Sequence, residues 1–227
     1  MAKTTKLKIL YEDNHLIAID KPSGLLVQGD KTGDITLADL VKDYIKVEYN
    51  KPGDVFLGVI HRLDRPVSGV CLFARTSKAL ERMNEKFRNR ELKKTYWALV
   101  SKRPEDYEGK LIHYLVKDHE KNKSKAFTKE KKNSKKAELS YKLIGELSGY
   151  SMLEINPITG RPHQIRVQLA TALSPILGDT KYGYKDAFRD GSICLHAKQL
   201  EFEHPVKKEP VKISAPTPKH QMWNLFK

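Results

Sequence analysis

The chain has 227 residues, 39% of them hydrophobic, with a mean hydropathy of −0.57, enough to bury a substantial core as one large domain or two small ones. No apolar run approaches the roughly 18–20 residues of a membrane span, and the opening Met1-Ala2-Lys3-Thr4-Thr5-Lys6 lacks a secretory h-region, so a soluble cytoplasmic protein is expected. Forty-two Lys and Arg against twenty-eight Asp and Glu leave +14 and a pI near 9.6, an excess that attracts polyanions, of which nucleic acid is the commonest inside a cell.

In chain order, two short strands come first, at 8–12 and 15–20, separated by an Asp13-Asn14 turn. Lys21-Pro22-Ser23-Gly24 breaks the pattern, and Leu25-Leu26-Val27 follows as an apolar strand or loop. Leu37, Leu40, Val41, Tyr44 and Ile45 recur at helical spacing and predict an amphipathic helix over about 35–48. After Asn50-Lys51-Pro52-Gly53-Asp54 comes His61-Arg62-Leu63-Asp64, followed at once by Arg65 and closed by Ser68-Gly69. It sets one carboxylate between two arginines in an apolar frame of Val59, Ile60, Leu63, Val67 and Val70. Neighbouring cations favour the ionised acid against desolvation, which taken alone points first to a structural ion pair; the rest of the chain is what favours a functional carboxylate. A strand is predicted over 69–74, then a helix from Ser77 as N-cap to about Arg90, with Leu80, Met83 and Phe87 as its core stripe. Its Arg82, Lys86, Arg88 and Arg90 either face RNA or form a solvated face.

Strands follow at 95–100 and 110–116. Residues 117–136 then carry nine lysines (117, 121, 123, 125, 129, 131, 132, 135 and 136) against Asp118, Glu120 and Glu130, with little that is apolar beyond Ala126 and Phe127. This composition predicts a solvated, mobile loop or hairpin, serving RNA contact or solubility. Strands resume at 137–145 and 150–158; Thr159-Gly160-Arg161-Pro162 then turns into a helix with Pro162 at its first position and Ile165, Leu169 and Leu173 as its stripe. Strands near 193–203 and 210–214 and a short helix around Trp223 complete the chain. The mixture predicts an α+β fold with a largely antiparallel sheet, in one domain without repeats or a linker. Cys71 and Cys194, far apart and both in apolar stretches, read as buried free thiols.

Several chemistries are absent from the pattern. There is no P-loop, no dinucleotide-binding G-x-G-x-x-G turn and no G-x-S-x-G elbow. Eight histidines show no metal-site spacing, and no dense Asp/Glu cluster offers a two-magnesium site. Two further segments stand out. In Thr159-Gly160-Arg161-Pro162-His163-Gln164-Ile165-Arg166, a helix would place His163 and Arg166 on one face, at a terminus whose backbone donors favour an anion. Lys93-Lys94-Thr95-Tyr96-Trp97 puts an aromatic in a basic strand, as stacking on an extruded base requires.

Taken together and in order, Lys21-Pro22-Ser23-Gly24, His61-Arg62-Leu63-Asp64 with Ser68-Gly69, Lys94-Thr95-Tyr96, residues 159–166, Pro175-Ile176-Leu177-Gly178-Asp179 and Leu195-His196-Ala197 resemble the RluA family of pseudouridine synthases over roughly residues 7–216. The resemblance implies a single α+β catalytic domain of the pseudouridine synthase type, with a mixed, largely antiparallel sheet, flanking helices and a central RNA-binding cleft. It implies an enzyme that needs no metal or organic cofactor and isomerises uridines in rRNA of the 23S type, in tRNA, or in both. Asp64 would be the catalytic carboxylate, acting at C1′, at C2′ or at the base; Tyr96 would stack on the target base; Arg166 would pair with the catalytic Asp. Arg62 would enter the RNA as the uridine flips, with Arg161, His163 and Lys94 contacting RNA. Many relatives carry Thr before the Ser-Gly, where Val67 stands here behind Pro66. The S4 domain that many relatives carry ahead of the catalytic one is not expected here, and RNA selection would then rest on the catalytic domain with its 117–136 segment and the 77–90 helix. Nothing suggests an obligate interface, so a monomer is expected. The rival from another class is a catalytically silent RNA-binding or ribosome-assembly protein on the same fold.

Overall fold

The computed structural model describes residues 7–30 and 33–226, so the N-terminal hexapeptide read above for targeting lies outside the described residues. The elements in chain order are β1 (Ile9–Glu12), β2 (Leu16–Lys21), α1 (Leu37–Glu48), β3 (Gly58–Val59), β4 (Ser68–Ala74), α2 (Ser77–Asn89), β5 (Lys93–Val100), β6 (Glu108–Asp118), β7 (Lys123–Phe127), β8 (Lys135–Leu147), β9 (Tyr150–Pro157), α3 (Gln164–Ala172), a 3-10 turn (Thr180–Tyr182), β10 (Leu195–Glu203), β11 (Pro210–Ser214) and α4 (Gln221–Asn224). The secondary structure is α+β, and among the described residues no helix is long and apolar enough to cross a membrane. The chain divides into two compact units, one taking residues up to Lys93 with Ala197–Pro216, the other Lys94–His196 with Thr217–Lys227.

In the first unit the strand order is β1-β2-β4-β10, with β3 on β4 and β11 on β10. Asp13 builds the β1–β2 turn, its Oδ1 accepting the N–H groups of His15 (2.8 Å) and Leu16 (2.9 Å), an Asx device that fixes the hairpin. Leu25-Leu26-Val27 is loop, not strand. Helix α1 starts at a capping box in which the Thr36 hydroxyl and the Asp39 carboxylate each accept the other's backbone N–H. Leu37, Val41 and Ile45 form its buried face. Helix α2 is capped by Thr76, whose Oγ1 accepts from Ala79 N, and Ser77, expected as the cap, is the first helical residue. Met83 buries fully against a cluster that includes Leu16, Ala18, Leu72, Leu200 and Phe202. The polar face of α2 is braced within this unit: Arg82 donates to the Pro205 carbonyl, and Lys86 to Glu91 and Glu203.

The second unit is an antiparallel sheet in the order β5-β9-β8-β6-β7. Period-two alternation buries Leu115, Ala137, Leu139, Leu143, Leu153 and Ile155, and α3 packs against β6 and β7 through Val167 and Ala170. Of the loop or hairpin expected of the lysine-rich segment, the hairpin is what forms: β6 runs on to Asp118, β7 pairs back along it, and β8 begins at Lys135. Ser124 and Ala126, turned inward, supply the packing that a count of lysines conceals. Helix α3 begins at Gln164 rather than at Pro162. His163 is its N-cap at φ +56°, a left-handed residue that the rigid Pro162 precedes, and Leu173 is its C-cap rather than part of its stripe.

Candidate functional site

Asp64 sits in the first unit at the first position of a tight turn, where its carbonyl accepts Val67 N–H at 3.0 Å. The turn precedes β4, and the antiparallel register β2–β4 places Lys21 opposite Gly69. That pairing brings the Lys21-Pro22-Ser23-Gly24 turn beside the Asp64 turn, and the two interlock. The Arg65 carbonyl accepts both Gly24 N–H (2.8 Å) and Lys21 Nζ (3.2 Å), while Arg65 Nε donates to the Gly24 carbonyl (3.0 Å). Lys21 Nζ also donates to Pro22 O at 2.9 Å, and Arg65 Nη2 pairs with Asp34 at 2.9 Å. Gly24 takes φ +85°, and Gly69 takes φ +111° with a Cβ there 2.2 Å from the Ala197 carbonyl oxygen, so at both positions glycine alone fits without strain.

Lys21 has no exposed surface at all. Burial pushes its ammonium down to about 8, against the pull of Cys71 and Asp64, with Arg65 adding to the depression. Cys71 is fully buried and its thiol is pushed up to about 12 by burial, which makes it a packing residue. His61 is also structural: its Nε2 accepts Leu72 N–H at 3.0 Å and its ring stacks on Phe87. Arg62, in contrast, is solvent-exposed.

In the second unit Tyr96 stands on β5 opposite Ile155, half-buried, with Lys94 two residues before it on the same strand and close to Gly160. Arg166 is buried on α3 and meets Asp179 through a bidentate pair, Nε to Oδ2 at 2.7 Å and Nη2 to Oδ1 at 2.8 Å. Its guanidinium lies over the Tyr182 ring at 5.1 Å, and the Tyr182 hydroxyl is 2.7 Å from His163 Nδ1. His163 and Arg166 thus converge, as their spacing suggests, on a tyrosine that no sequence pattern singled out. The turn before α3 is held by Gln164, whose Oε1 accepts from Thr159 Oγ1 and Arg161 N while its Nε2 donates to Glu138 O. Arg161 is anchored by donation from Nε to Lys136 O.

Lys21 and Asp179 both lie inside the motifs quoted from the sequence, but neither received a role, because their partners are set by strand register and chain reversal. Among the described residues no group of three or more His, Cys, Asp or Glu stands close enough to hold a metal ion. The arrangement offers one carboxylate on a braced turn in the first unit, and in the second a half-buried strand tyrosine, Tyr96, and a buried guanidinium oriented by Asp179.

Comparison with known proteins places these residues in context. The family profile described as RNA pseudouridylate synthase matches residues 15–171. The tRNA pseudouridine synthase C of Pectobacterium carotovorum subsp. carotovorum is 32% identical to the chain, covering 95% of it and 60% of the relative. The ribosomal large subunit pseudouridine synthase C of Buchnera aphidicola subsp. Acyrthosiphon pisum is 35% identical, covering 92% of the chain and 67% of the relative. Among solved structures, human RNA pseudouridylate synthase domain containing 4 superposes with a TM-score of 0.79 at 25% identity, covering 96% of the chain and 92% of that structure. The chain thus spans 60% of the Pectobacterium relative's length and 67% of the Buchnera relative's.

Proposed function

The chain belongs to the RluA-type family of RNA pseudouridylate synthases, and from that membership we propose that it isomerises uridine to pseudouridine within structured RNA, in large-subunit rRNA, in tRNA, or in both. One observation carries the reading: the family match includes Asp64, and that residue heads a turn clamped by Lys21, Gly24 and Arg65. A carboxylate on a turn braced by four polar contacts is pre-positioned for a reacting atom rather than left to search for it.

In the proposed reaction the C1′–N1 bond of the uridine breaks, the uracil rotates and a C1′–C5 bond forms. N1 finishes with a proton and C5 gives one up, so the product is an isomer and no oxidant, metal or organic cofactor is required. Asp64 serves as the catalytic carboxylate, Tyr96 stacks on the extruded base, and Arg166, held by Asp179, supplies fixed positive charge. Extruding a base costs a few kcal/mol in lost stacking and pairing. Arg62, exposed beside Asp64, fills the vacated place in the RNA, and Lys94, Arg161 and His163 bind RNA around it. The protein works as a monomer in the cytoplasm, as one catalytic domain.

The test is pseudouridine mapping on transcribed 23S-type rRNA and tRNA with the wild-type protein and Asp64→Asn. Wild type is expected to modify discrete uridines, and Asp64→Asn to bind the same RNA without forming product. Product from Asp64→Asn would remove Asp64 from its role; RNA binding without product from the wild type would leave only a silent binding protein.

A further inference from the structure

The sheet of the second unit has two faces, and only one is explained by its core. Leu111, His113 and Leu115 of β6, with Ala137 and Leu139 of β8 and Ser124 and Ala126 of β7, turn toward α3. The opposite face of a sheet open on one side should be polar. Here it carries Ile112, Tyr114 and Val116 in succession along β6, and Phe127 of β7 stands directly opposite Tyr114. Ile112 is 46% exposed, and Tyr114, Val116 and Phe127 are each partly exposed. Directly opposed residues on paired strands hold their Cβ atoms about 4.5–5.5 Å apart, so the two rings form one continuous surface.

The charges around that surface are chiefly lysines. Lys110 lies on β6, Lys125 opposite Val116, Lys136 opposite Tyr114 and Lys142 farther along β8, all on this face and all exposed. The carboxylates sharing the face are each matched: Glu138 with Lys136 at 3.3 Å, Glu108 opposite Lys142, and Asp118 opposite Lys123. Beyond the edge strand β7, Lys129, Lys131 and Lys132 are exposed on the connection to β8. Protein interfaces are poor in lysine, whereas exposed rings bordered by lysines are how sequence-tolerant binders hold unpaired RNA, bases on rings and phosphates on ammonium groups.

We propose that this outer face of β6, β7 and β8 is a second RNA-docking surface, on which an unpaired segment of the substrate, distinct from the target uridine, stacks over Tyr114 and Phe127. The proposal rests on the RNA-modifying reading and adds to it a holding site away from Asp64, Tyr96 and Arg166. It accounts for why the lysine-rich segment is built as a strand with an aromatic at its end rather than left as a solubilising loop.

The probe is a fluorescein-labelled adenosine 12-mer RNA, which contains no uridine and so reports docking whether or not the protein is a synthase. The proteins are the full chain, Tyr114→Leu/Phe127→Leu, which keeps apolar bulk but removes both rings, and Lys110→Gln/Lys125→Gln. Both double variants are expected to bind the 12-mer about tenfold more weakly by anisotropy, to show raised KM with unchanged kcat on a long structured RNA, and to match the wild type on a minimal hairpin around the target uridine. Wild-type affinity for the 12-mer in the leucine variant would overturn the proposal. So would equal losses on the hairpin, which mark a folding defect, or wild-type self-association in ultracentrifugation that the leucine variant alone abolishes, which gives the face to a second copy of the chain. If the wild type forms no pseudouridine yet the 12-mer losses appear, the synthase reading fails and the docking surface stands.

Discussion

At the scale of single residues, candidate catalytic groups are easier to propose from sequence than the groups that support them. Asp64, Tyr96 and Arg166 each sit in a segment whose residue types announce them, but Lys21, Asp179 and Tyr182 gain their importance from what folding brings against them. Lys21 is the clearest case, an ammonium with no exposed surface bridging two carbonyls under the Asp64 turn. Burial lowers it from 10.5 to about 8, so it is protonated at neutral pH and loses its proton as pH rises through about 8. Activity is therefore expected to fall on an alkaline limb near that pH, since the uncharged amine holds the Arg65 carbonyl less firmly. The stability sign is opposite. Between about 8 and 10.5 the unfolded chain holds a proton that the folded one has released, so this group's contribution to stability rises with pH across that window. A pH–rate profile that declines above 8 while the melting temperature does not, and that flattens in Lys21→Met at lower kcat, is the expected pair of results; rate and melting temperature falling together would contradict it. Asp179 gives a second test. Its removal takes the bidentate carboxylate away from a buried guanidinium, and breaking such a pair costs about 3–5 kcal/mol. Asp179→Ala should lose that much in urea unfolding, and a loss under about 1 kcal/mol would show that the pair is not what fixes the guanidinium.

At the scale of elements, local signals placed the helices and strands well wherever the ends are made locally, as with the Thr36 box before α1. They failed where an end is fastened by a side chain whose partners include a distant group. Pro162 reads as a first helical residue, yet α3 starts later because Gln164 fastens the preceding turn to Thr159, Arg161 and the Glu138 carbonyl, contacts invisible to spacing. The β1–β2 turn shows the same dependence on a remote partner and carries a pH prediction. His204 is buried and its Nδ1 accepts the N–H groups of Val206 and Lys207, so the ring's proton is on Nε2, 2.9 Å from Asp13 Oδ2. Burial lowers His204 below the ordinary histidine value despite the attraction of Asp13. Burial also raises Asp13, but the N–H groups of His15 and Leu16 with Tyr11 and Lys207 outweigh it and hold that carboxyl well below the usual range. Both groups bind protons more readily in the unfolded chain, so the stability they give is complete above about pH 6.5 and is lost as pH falls, first through His204 and then through Asp13. The urea midpoint of the wild type should drop more steeply between pH 7.5 and 4.5 than that of Asp13→Asn/His204→Gln; parallel curves would remove the pair from the acid response.

At the scale of the whole molecule, composition points to a polyanion partner but not to where the charge would act, and no linker marks the division into two units because two of its three boundaries fall inside β5 and β10, where the residues obey strand rather than linker chemistry. The excess of +14 has a measurable consequence nonetheless. Each phosphate neutralised by a lysine releases bound counterion, and for single-stranded nucleic acid the logarithm of affinity falls with the logarithm of salt by about 0.7 per contact. Helix α2, the other basic element, spends Arg82 and Lys86 on Pro205, Glu91 and Glu203 but leaves Arg88 and Arg90 exposed, so the salt response is expected to be shared between these arginines and the exposed lysines of the β6–β8 region. Replacing Lys129, Lys131 and Lys132 by Gln, all exposed and none of them in the packed face, should leave stability and kcat unchanged. It should also reduce the slope of log affinity against log potassium chloride by about 2 for a structured RNA substrate. A slope unchanged by the triple variant would mean that these lysines serve solubility and that the RNA is held elsewhere. A slope reduced together with kcat would mean instead that they act on the reacting uridine itself.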